Sequence, residues 1–375
     1  MEHPYNPSPS AAPLFGNPAA IRCERAASEL RSGRPVVIEA DGRRVAFIAL
    51  DGSTQQSYDA FSQAARQQQY LFVPPPRASV IGLEAPSGAR IALAGVDYQA
   101  LAQLGYLREA NAPAHWQAGD ALDAAAVEVA RLGLLLPTLV AVVLEQGDRC
   151  FDGCDRLSVS DLREGALEAA RGYELVTRSP VPLREIGMAQ FVVFRGGVAQ
   201  RDQVAIIVGH PDAQAVVPVR VHSSCLTGDL FGSLKCDCGD QLRQGLLKLK
   251  ALGGGVLLYL DQEGRGTGIA AKMRAYGYQH DGLDTIDADA QLGFGADERR
   301  YEAAAAMLRL LGITRIKLLS NNPSKVDRLR AVGVEVVDRE PVVGTITAEN
   351  EQYLRTKAAR AGHALDVDAL IHASR

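Results

Sequence analysis

The sequence predicts an α+β protein of two domains, an N-terminal α+β domain and a C-terminal domain of mixed α/β type. Three observations predict it. The chain has 375 residues, room for two or three domains at about 150 residues each. The first half places Asp41-Gly42 between two β-rich runs, a hairpin signal, beside segments of helical periodicity. The second half opens with strand-like runs and then alternates apolar runs with helical ones. Charged residues make up 22% and hydrophobic ones 47%, so there is material for a core.

In chain order, residues 1–18 (MEHPYNPSPSAAPLFGNP) read as a flexible leader. They have neither a basic n-region nor an apolar h-region, so no secretion signal is expected. The first domain is expected over 19–145. Residues 20–32 carry apolar positions at Ile21, Ala26, Ala27 and Leu30, a helical pattern. PVVIEADGRRVAFIAL then forms the hairpin, because Asp-Gly accepts the positive φ of a tight turn. Residues 122–133 read as a helix and TLVAVVLE as a buried strand. Residues 146–181 are expected to connect the domains. They hold CFDGC, a helix capped by Ser158 or Ser160, and RSPVPLRE, read as a linker from its prolines.

The second domain is expected over 182–370. QFVVFR, QVAIIVG and AVVPVRVHS read as antiparallel strands, with a helix at 239–251. GVLLYL is a buried strand running into the loop DQEGRGTG, which opens another helix. IKLLS is a strand followed by the turn NNPSK, and VEVVD is a further strand.

Net charge is −4, which argues against electrostatic nucleic-acid binding. The longest apolar stretch, residues 132–144, is too short to span a bilayer and contains Pro137, so no membrane segment is expected. Six cysteines in so long a chain do not make a disulfide scaffold. A reducing cytoplasm and metal ligation are the expectation.

Four segments carry chemistry. Cys225, Cys236 and Cys238 follow C-x10-C-x-C, three thiolates with no obvious fourth ligand. A catalytic zinc keeps one position for water, whereas a structural zinc closes its tetrahedron. His222 could serve as a fourth ligand, so spacing alone leaves both readings, and a metal-free one, open. The loop Gln262 to Gly268 follows a strand and precedes a helix, where glycines let backbone N–H groups approach phosphate. Arg265 offers a planar fork, and the bland alternative is a structural turn. GFGADERRY places Asp297 two residues before Arg299 at what reads as a charged helix start. SNNPSK puts Ser320 at the carboxyl end of a strand, where open α/β sheets hold ligands, with Lys325 close behind.

Together and in this order these segments resemble GTP cyclohydrolase II, which opens the guanine ring in the first step of riboflavin synthesis. The resemblance covers about residues 182–366, and RVHSSCLTGDLFGSLKCDCG, LLYLDQEGRGTGIAAKMRAYGYQHDGLDT and LGFGADERRY carry it. It implies one zinc ion per subunit on Cys225, Cys236 and Cys238. It implies a GTP site that begins with Arg220, Val221, His222, Ser223 and Ser224. Gln241, Glu263, Gly264 and Arg265 continue that site, and Thr285, Ser320 and Lys325 complete it. Asp297 takes the place of the proton acceptor, Arg299 that of the nucleophile at the α-phosphorus, and Tyr276 that of an active-site tyrosine. The implied reaction, with Mg²⁺ on the triphosphate, releases formate and pyrophosphate and leaves 2,5-diamino-6-hydroxy-4-(5-phosphoribosylamino)pyrimidine. A homodimer is implied as well. This chain has Ser224 where many members have Glu, Ser320 where Thr is common, and Asp289 in place of a frequent Asn. Ser224 leaves open a paralogue with another product or nucleotide, and a non-catalytic nucleotide sensor is a further alternative.

Residues 20–145 resemble, more weakly, a degenerate 3,4-dihydroxy-2-butanone 4-phosphate synthase, through AASELRSGRPVVI and AAAVEVARLGLLLPTLVAVVLE. The acidic Mg²⁺ loop of that lyase is reduced here to Glu39-Ala40-Asp41-Gly42, and Leu122 stands about where a metal-binding His is found. Loss of the lyase activity, with a structural or oligomeric role retained, is the expectation. Cys150 and Cys154 are expected to be free thiols.

Overall fold

The computed structural model describes residues 16–342, apart from 95, 199, 200 and 296, together with residue 355. Residues 1–15 of the expected leader lie outside the described residues. So does the end of the expected second domain, including the tail ENEQYLRTKAARAGH except Arg355.

The first half builds β1 (Val36–Ala40), β2 (Arg43–Ala49), β3 (Tyr70–Val73), β4 (Ala89–Ala92), β5 (Gln117–Ala118), β6 (Leu139–Leu144) and β7 (Asp155–Ser158). They form one sheet in the order β5-β4-β3-β6-β2-β1-β7. Its helices are α1 (Pro18–Arg31), α2 (Gln55–Ala64), α3 (Pro75–Val80), α4 (Tyr98–Gly105), α5 (Ala121–Leu132) and α6 (Val159–Arg171). Alternation along the strands explains why VVI and VAFIA are apolar throughout. Val37, Ala46 and Ile48 face a core closed by Tyr58 and Phe61 of α2 and Leu101 of α4. Ile38, Val45 and Phe47 face a second core closed by Leu30 of α1 and Val129 of α5. Each buried Val, Ile, Leu or Phe among them contributes roughly 1.5–3 kcal/mol. The hairpin forms where expected, with Asp41 at φ 51° and Gly42 at φ 73°, the double positive φ of a type I′ turn.

The expected connector 146–181 is corrected by the structure. β7 pairs in parallel with β1, so this segment belongs to the first sheet as far as α6. Ser158 caps α6, its hydroxyl accepting from the N–H of Asp161 and its own N–H donating back to that carboxylate. RSPVPLRE is not a linker either. It lies mostly in β8 (Glu174–Leu183), at the edge of the second sheet. An edge strand tolerates Pro180 and Pro182, because a missing N–H on its solvent side removes no ladder bond.

The second sheet adds β9 (Gly187–Gly196), β10 (Arg201–Gly209), β11 (Val217–Ser223), β12 (Gly254–Leu260), β13 (Arg315–Leu319) and β14 (Glu335–Glu340). Its order is β14-β13-β11-β12-β10-β9-β8. The expectation that AVVPVRVHS pairs antiparallel is also corrected: β11 runs parallel to both β12 and β13. The connection from β11 to β12 contains α7 (Cys238–Ala251), the long crossover that parallel neighbours need. α8 (Ile269–His280), α9 (Thr285–Gln291), α10 (Glu302–Leu310) and α11 (Pro323–Ala331) are the other helices of this half among the described residues. α10 and α11 cover one face through Met307 and Leu329, and α7 covers the other through Leu249.

The halves are joined by buried chemistry. The Arg77 side chain is fully buried. Its guanidinium donates to the carbonyls of Gln103 (2.6 Å), Leu104 (2.8 Å) and Leu107 (2.8 Å), and across to Gln291 in α9 (3.1 Å). Burial pushes its pKa down to about 10, still charged at neutral pH. Leu136 packs with Ala271 and Ala275 of α8 and Leu292 in a shared apolar cluster. Arg77→Met strands four carbonyls and is expected to destabilise the chain by about 3 kcal/mol or more, read by urea denaturation. A loss below about 1 kcal/mol would contradict this role.

Candidate active site

β11, β12 and β13 are parallel, so their carboxyl ends meet at one edge. β11 delivers His222 and Ser223 and runs into Ser224 and Cys225. β12 runs into the loop Gln262 to Gly268, and β13 ends just before Ser320. These ends frame a cleft of about 380 Å³, the size of a small-molecule site. The three cysteines and every residue that the resemblance to GTP cyclohydrolase II places in the GTP site or the catalytic set border this one cleft, whereas Gln262, Gly266 and Gly268 of the glycine loop do not.

The cysteines lie on its floor. Cys225 follows β11, Cys236 ends the intervening turn, and Cys238 opens α7, where the helix N-terminus favours thiolate. The three sulfurs lie within 4.8 Å of one another, and Cys225 and Cys236 are 3.6 Å apart. Zinc–thiolate bonds of about 2.3 Å in a tetrahedron hold sulfurs about 3.8 Å apart, so the trio fits that ion. A Cβ on Gly228 would stand 2.8 Å from the Cys236 sulfur and 3.1 Å from that of Cys225. Only glycine lets this turn close over the sulfurs. Hydrogen bonds from Cys236 and Cys238, aided by Lys272 at 3.0 Å, hold the Cys225 thiol far below its usual range. His222 is not part of this group. Its Nε2 meets Asp229 at 3.1 Å, and its ring stacks on Tyr259. Burial lowers its pKa, against the pull of Asp229. Asp229 also accepts from the N–H of Cys225 (2.9 Å) and the hydroxyl of Tyr259 (2.9 Å), which fixes the cysteine turn.

The glycine loop works differently from the sequence expectation. Gly264 and Arg265 adopt φ of 62° and 61°, a left-handed pair. The loop amides close on the loop itself. Gly264 donates to the Glu263 carboxylate, Gly266 to the carbonyl of Gln262, and Gly268 to that of Glu263. In this conformation the loop therefore offers side chains rather than those N–H groups. The Glu263 carboxylate takes the N–H of Leu226 (2.6 Å) and the Lys272 ammonium (2.7 Å), tying loop to cysteine turn. Ser224 makes a second tie, donating its N–H to the carbonyl of Leu260 and accepting from the N–H of Gln262 at 3.2 Å.

Arg265 pairs with Asp289, which is buried. Burial pushes the Asp289 carboxyl up to about 6, against the pull of Arg265. Its unfolded value is about 3.9. A carboxyl raised in the folded state stabilises the fold fully below about pH 4, and that contribution is lost as pH rises through about 6. Asp289→Asn should therefore flatten the fall of unfolding free energy between about pH 4 and about pH 6. Urea titrations across that range check it, and an unchanged slope would contradict it.

Asp297 and Arg299 form a two-point ion pair, with Nε to Oδ1 at 2.8 Å and Nη2 to Oδ2 at 2.7 Å. Burial acts to raise the Asp297 pKa, but the hydrogen bonds from Arg299 outweigh it and hold the carboxyl below its usual range. The expected helix start lies further on: α10 begins at Glu302, and the pair sits in the irregular segment before it. Arg328 of α11 adds a second cation 3.4 Å from Asp297. Opposite, Arg220 donates to the carbonyl of Leu319 (3.1 Å) and to Gln241 (2.8 Å), its stem laid over Gly245. Lys325 is buried, with its ammonium 2.9 Å from the carbonyl of Val221. Ser320 accepts from the N–H of Asn322, and Thr285 opens α9 at the cleft wall. Tyr276 lies on α8, its ring near the ammonium groups of Lys235 and Lys272.

Sequence reasoning missed Lys272, Asp229, Tyr259 and Arg328. Lys272 stands one helical turn before Tyr276, which places both on one face of α8. That spacing could have drawn it in. Asp229 lies four residues after Cys225, but nothing in its type separates it from a solvated turn residue.

A family model described as GTP cyclohydrolase II matches residues 174–341. GTP cyclohydrolase-2 of Xylella fastidiosa is 64% identical over 364 residues, 96% of this chain and 92% of that protein. GTP cyclohydrolase-2 of Azospirillum brasilense is 37% identical over 96% of this chain and 98% of its own length. Riboflavin biosynthesis protein RibBA of Parabacteroides distasonis is 40% identical over 64% of this chain and 62% of its own. A solved two-domain 3,4-dihydroxy-2-butanone 4-phosphate synthase from A. baumannii covers 86% of this chain and 99% of its own. Its identity is 16% and its TM-score 0.31, too distant to assign a fold. The Xylella and Azospirillum likenesses run through both sheets rather than the cleft alone, and on that ground the chain belongs to the GTP cyclohydrolase II family.

Proposed function

We propose that this chain hydrolyses GTP at the cleft, releasing formate and pyrophosphate and leaving 2,5-diamino-6-hydroxy-4-(5-phosphoribosylamino)pyrimidine. The observation that carries the reading is one cleft holding both a three-thiolate metal seat and the Asp297–Arg299 pair. Ring opening and triphosphate cleavage need those two kinds of chemistry. Cys225, Cys236 and Cys238 would hold one zinc per subunit. When bound, zinc lowers the pKa of water to about 7 and so supplies the nucleophile for the guanine ring.

The chain's own residues do the rest. Lys272 and Glu263 hold the cysteine turn against the loop. Arg220, Lys325, Arg328 and Arg265 gather positive charge around a substrate that arrives as the Mg²⁺ complex of a triphosphate. Asp297 orients the Arg299 guanidinium and is the group placed to take its proton when Arg299 attacks the α-phosphorus. Ser224 lacks the reach of a glutamate. It latches the loop, and any contact with the guanine edge runs through water.

We further propose that the first domain no longer acts as a lyase. Asp41 is exposed in its tight turn, and Leu122 is buried in the core on the α5 side. Neither is arranged to hold Mg²⁺. A cytoplasmic homodimer is part of the same reading. Metal analysis and mass spectrometry of the GTP product test it, with about one zinc per chain and the diaminopyrimidine expected. A zinc-free protein that turns over GTP, or an intact imidazole ring in the product, would sink it.

A further inference from the structure

Asp297 and Arg299 face the cleft, whereas the residues interleaved with them, Glu298 and Arg300, line a separate cavity between the two halves. There they meet one turn of α5. The Arg131 guanidinium lies 3.2 Å from the Glu298 carboxylate and 2.7 Å from Glu128. Glu128 in turn takes Arg300 at 2.7 Å. The result is a chain of alternating charge, Glu298–Arg131–Glu128–Arg300, that grips both neighbours of Arg299 from the first domain. The grip continues on the other side. Glu298 accepts the N–H of Gly295 (2.7 Å), the Gln262 side chain donates to the carbonyl of Arg300, and a Cβ on Gly266 would stand 2.9 Å from the Glu298 carbonyl oxygen.

We propose that Glu128 and Arg131 are positioning residues for the reactive pair, and that the first domain is retained because it supplies them. This rests on the functional reading above. These ion pairs are partly exposed, with side chains between 19% and 49% accessible, so their contribution to stability is small. Their effect lies in geometry. Gly295 and the residues from Asp297 to Tyr301 have no regular secondary structure, so no backbone ladder of their own fixes where Asp297 and Arg299 point. A shift of about 1 Å in a catalytic group can lower turnover about a hundredfold.

The test is steady-state kinetics on full-length Arg131→Gln, Glu128→Gln, the double variant and Arg131→Lys, with zinc content and thermal midpoint measured on each. The expected result is a fall in kcat of about 10- to 100-fold in each Gln variant, with unchanged KM for GTP, zinc content and thermal midpoint. The double variant should be no worse than the poorer single one, and Arg131→Lys should recover most of the loss. Turnover within about twofold of wild type in both Gln variants would overturn the positioning role alone. So would losses of turnover, zinc and thermal midpoint together, which would mark a merely structural contact. A wild-type protein that releases no formate would overturn the functional reading, and the clamp with it.

Discussion

Cys236→Ser is expected to abolish formate release from GTP, with a loss well beyond 100-fold, and to bring bound zinc from about one per chain to near zero. Cys236 is buried, and its sulfur is 3.6 Å from that of Cys225. A serine hydroxyl is smaller, harder and un-ionised at neutral pH, so it neither reaches nor charges the same position. Because a metal-thiolate seat must be deprotonated to bind, the loss should be equally deep across neutral pH. The fold should survive, since the floor of the cleft is also held by Asp229, Glu263 and Lys272. Full activity or retained zinc in this variant would show that the cysteines do not seat the metal. Pyrophosphate release should fall less than formate release, because the proposed triphosphate cleavage runs on Asp297, Arg299 and the cleft cations rather than on the cysteines.

Asp297→Asn is expected to act on the other half of the chemistry. Asparagine keeps the shape but loses the charge that now holds Arg299 at two points. It also cannot take a proton. A fall in kcat of about 10² to 10⁴ is expected, with zinc content unchanged. Since the folded pKa of Asp297 is depressed, its pair with Arg299 stabilises the wild type above the unfolded carboxyl value and is lost as pH falls through the folded one. The variant should therefore show a weaker acid-side loss of stability as well as the kinetic defect. Wild-type turnover in Asp297→Asn would remove the residue from the reaction.

Local signals made much of this architecture legible. Asp41-Gly42 announces its hairpin because few dipeptides accept two positive φ values. Ser320 could be placed at the sheet's carboxyl edge because a strand pattern stops there. The cysteine spacing, glycine loop and Asp297–Arg299 pair pointed to one site through their resemblance to a family rather than through any single pattern. What stayed hidden depended on partners far along the chain. Nothing in AVVPVRVHS says that β11 pairs with β12 in parallel, since direction is set by the crossover through α7. The prolines of RSPVPLRE suggested a linker because an edge strand and a linker tolerate proline for the same reason. Asp155–Ser158 is too short to declare its pairing with β1. The reach of Glu128 and Arg131 to residues 298 and 300 is invisible on a helix that reads as ordinarily charged.

The joint yield of formate and pyrophosphate from GTP and Mg²⁺ with the purified wild-type chain tests the proposed function most directly. Both are expected to appear together and in equal amount, with Cys225, Cys236 and Cys238 and the Asp297–Arg299 pair serving one turnover. Pyrophosphate without formate would contradict it, because the cleft would then cleave the triphosphate while leaving the guanine ring closed.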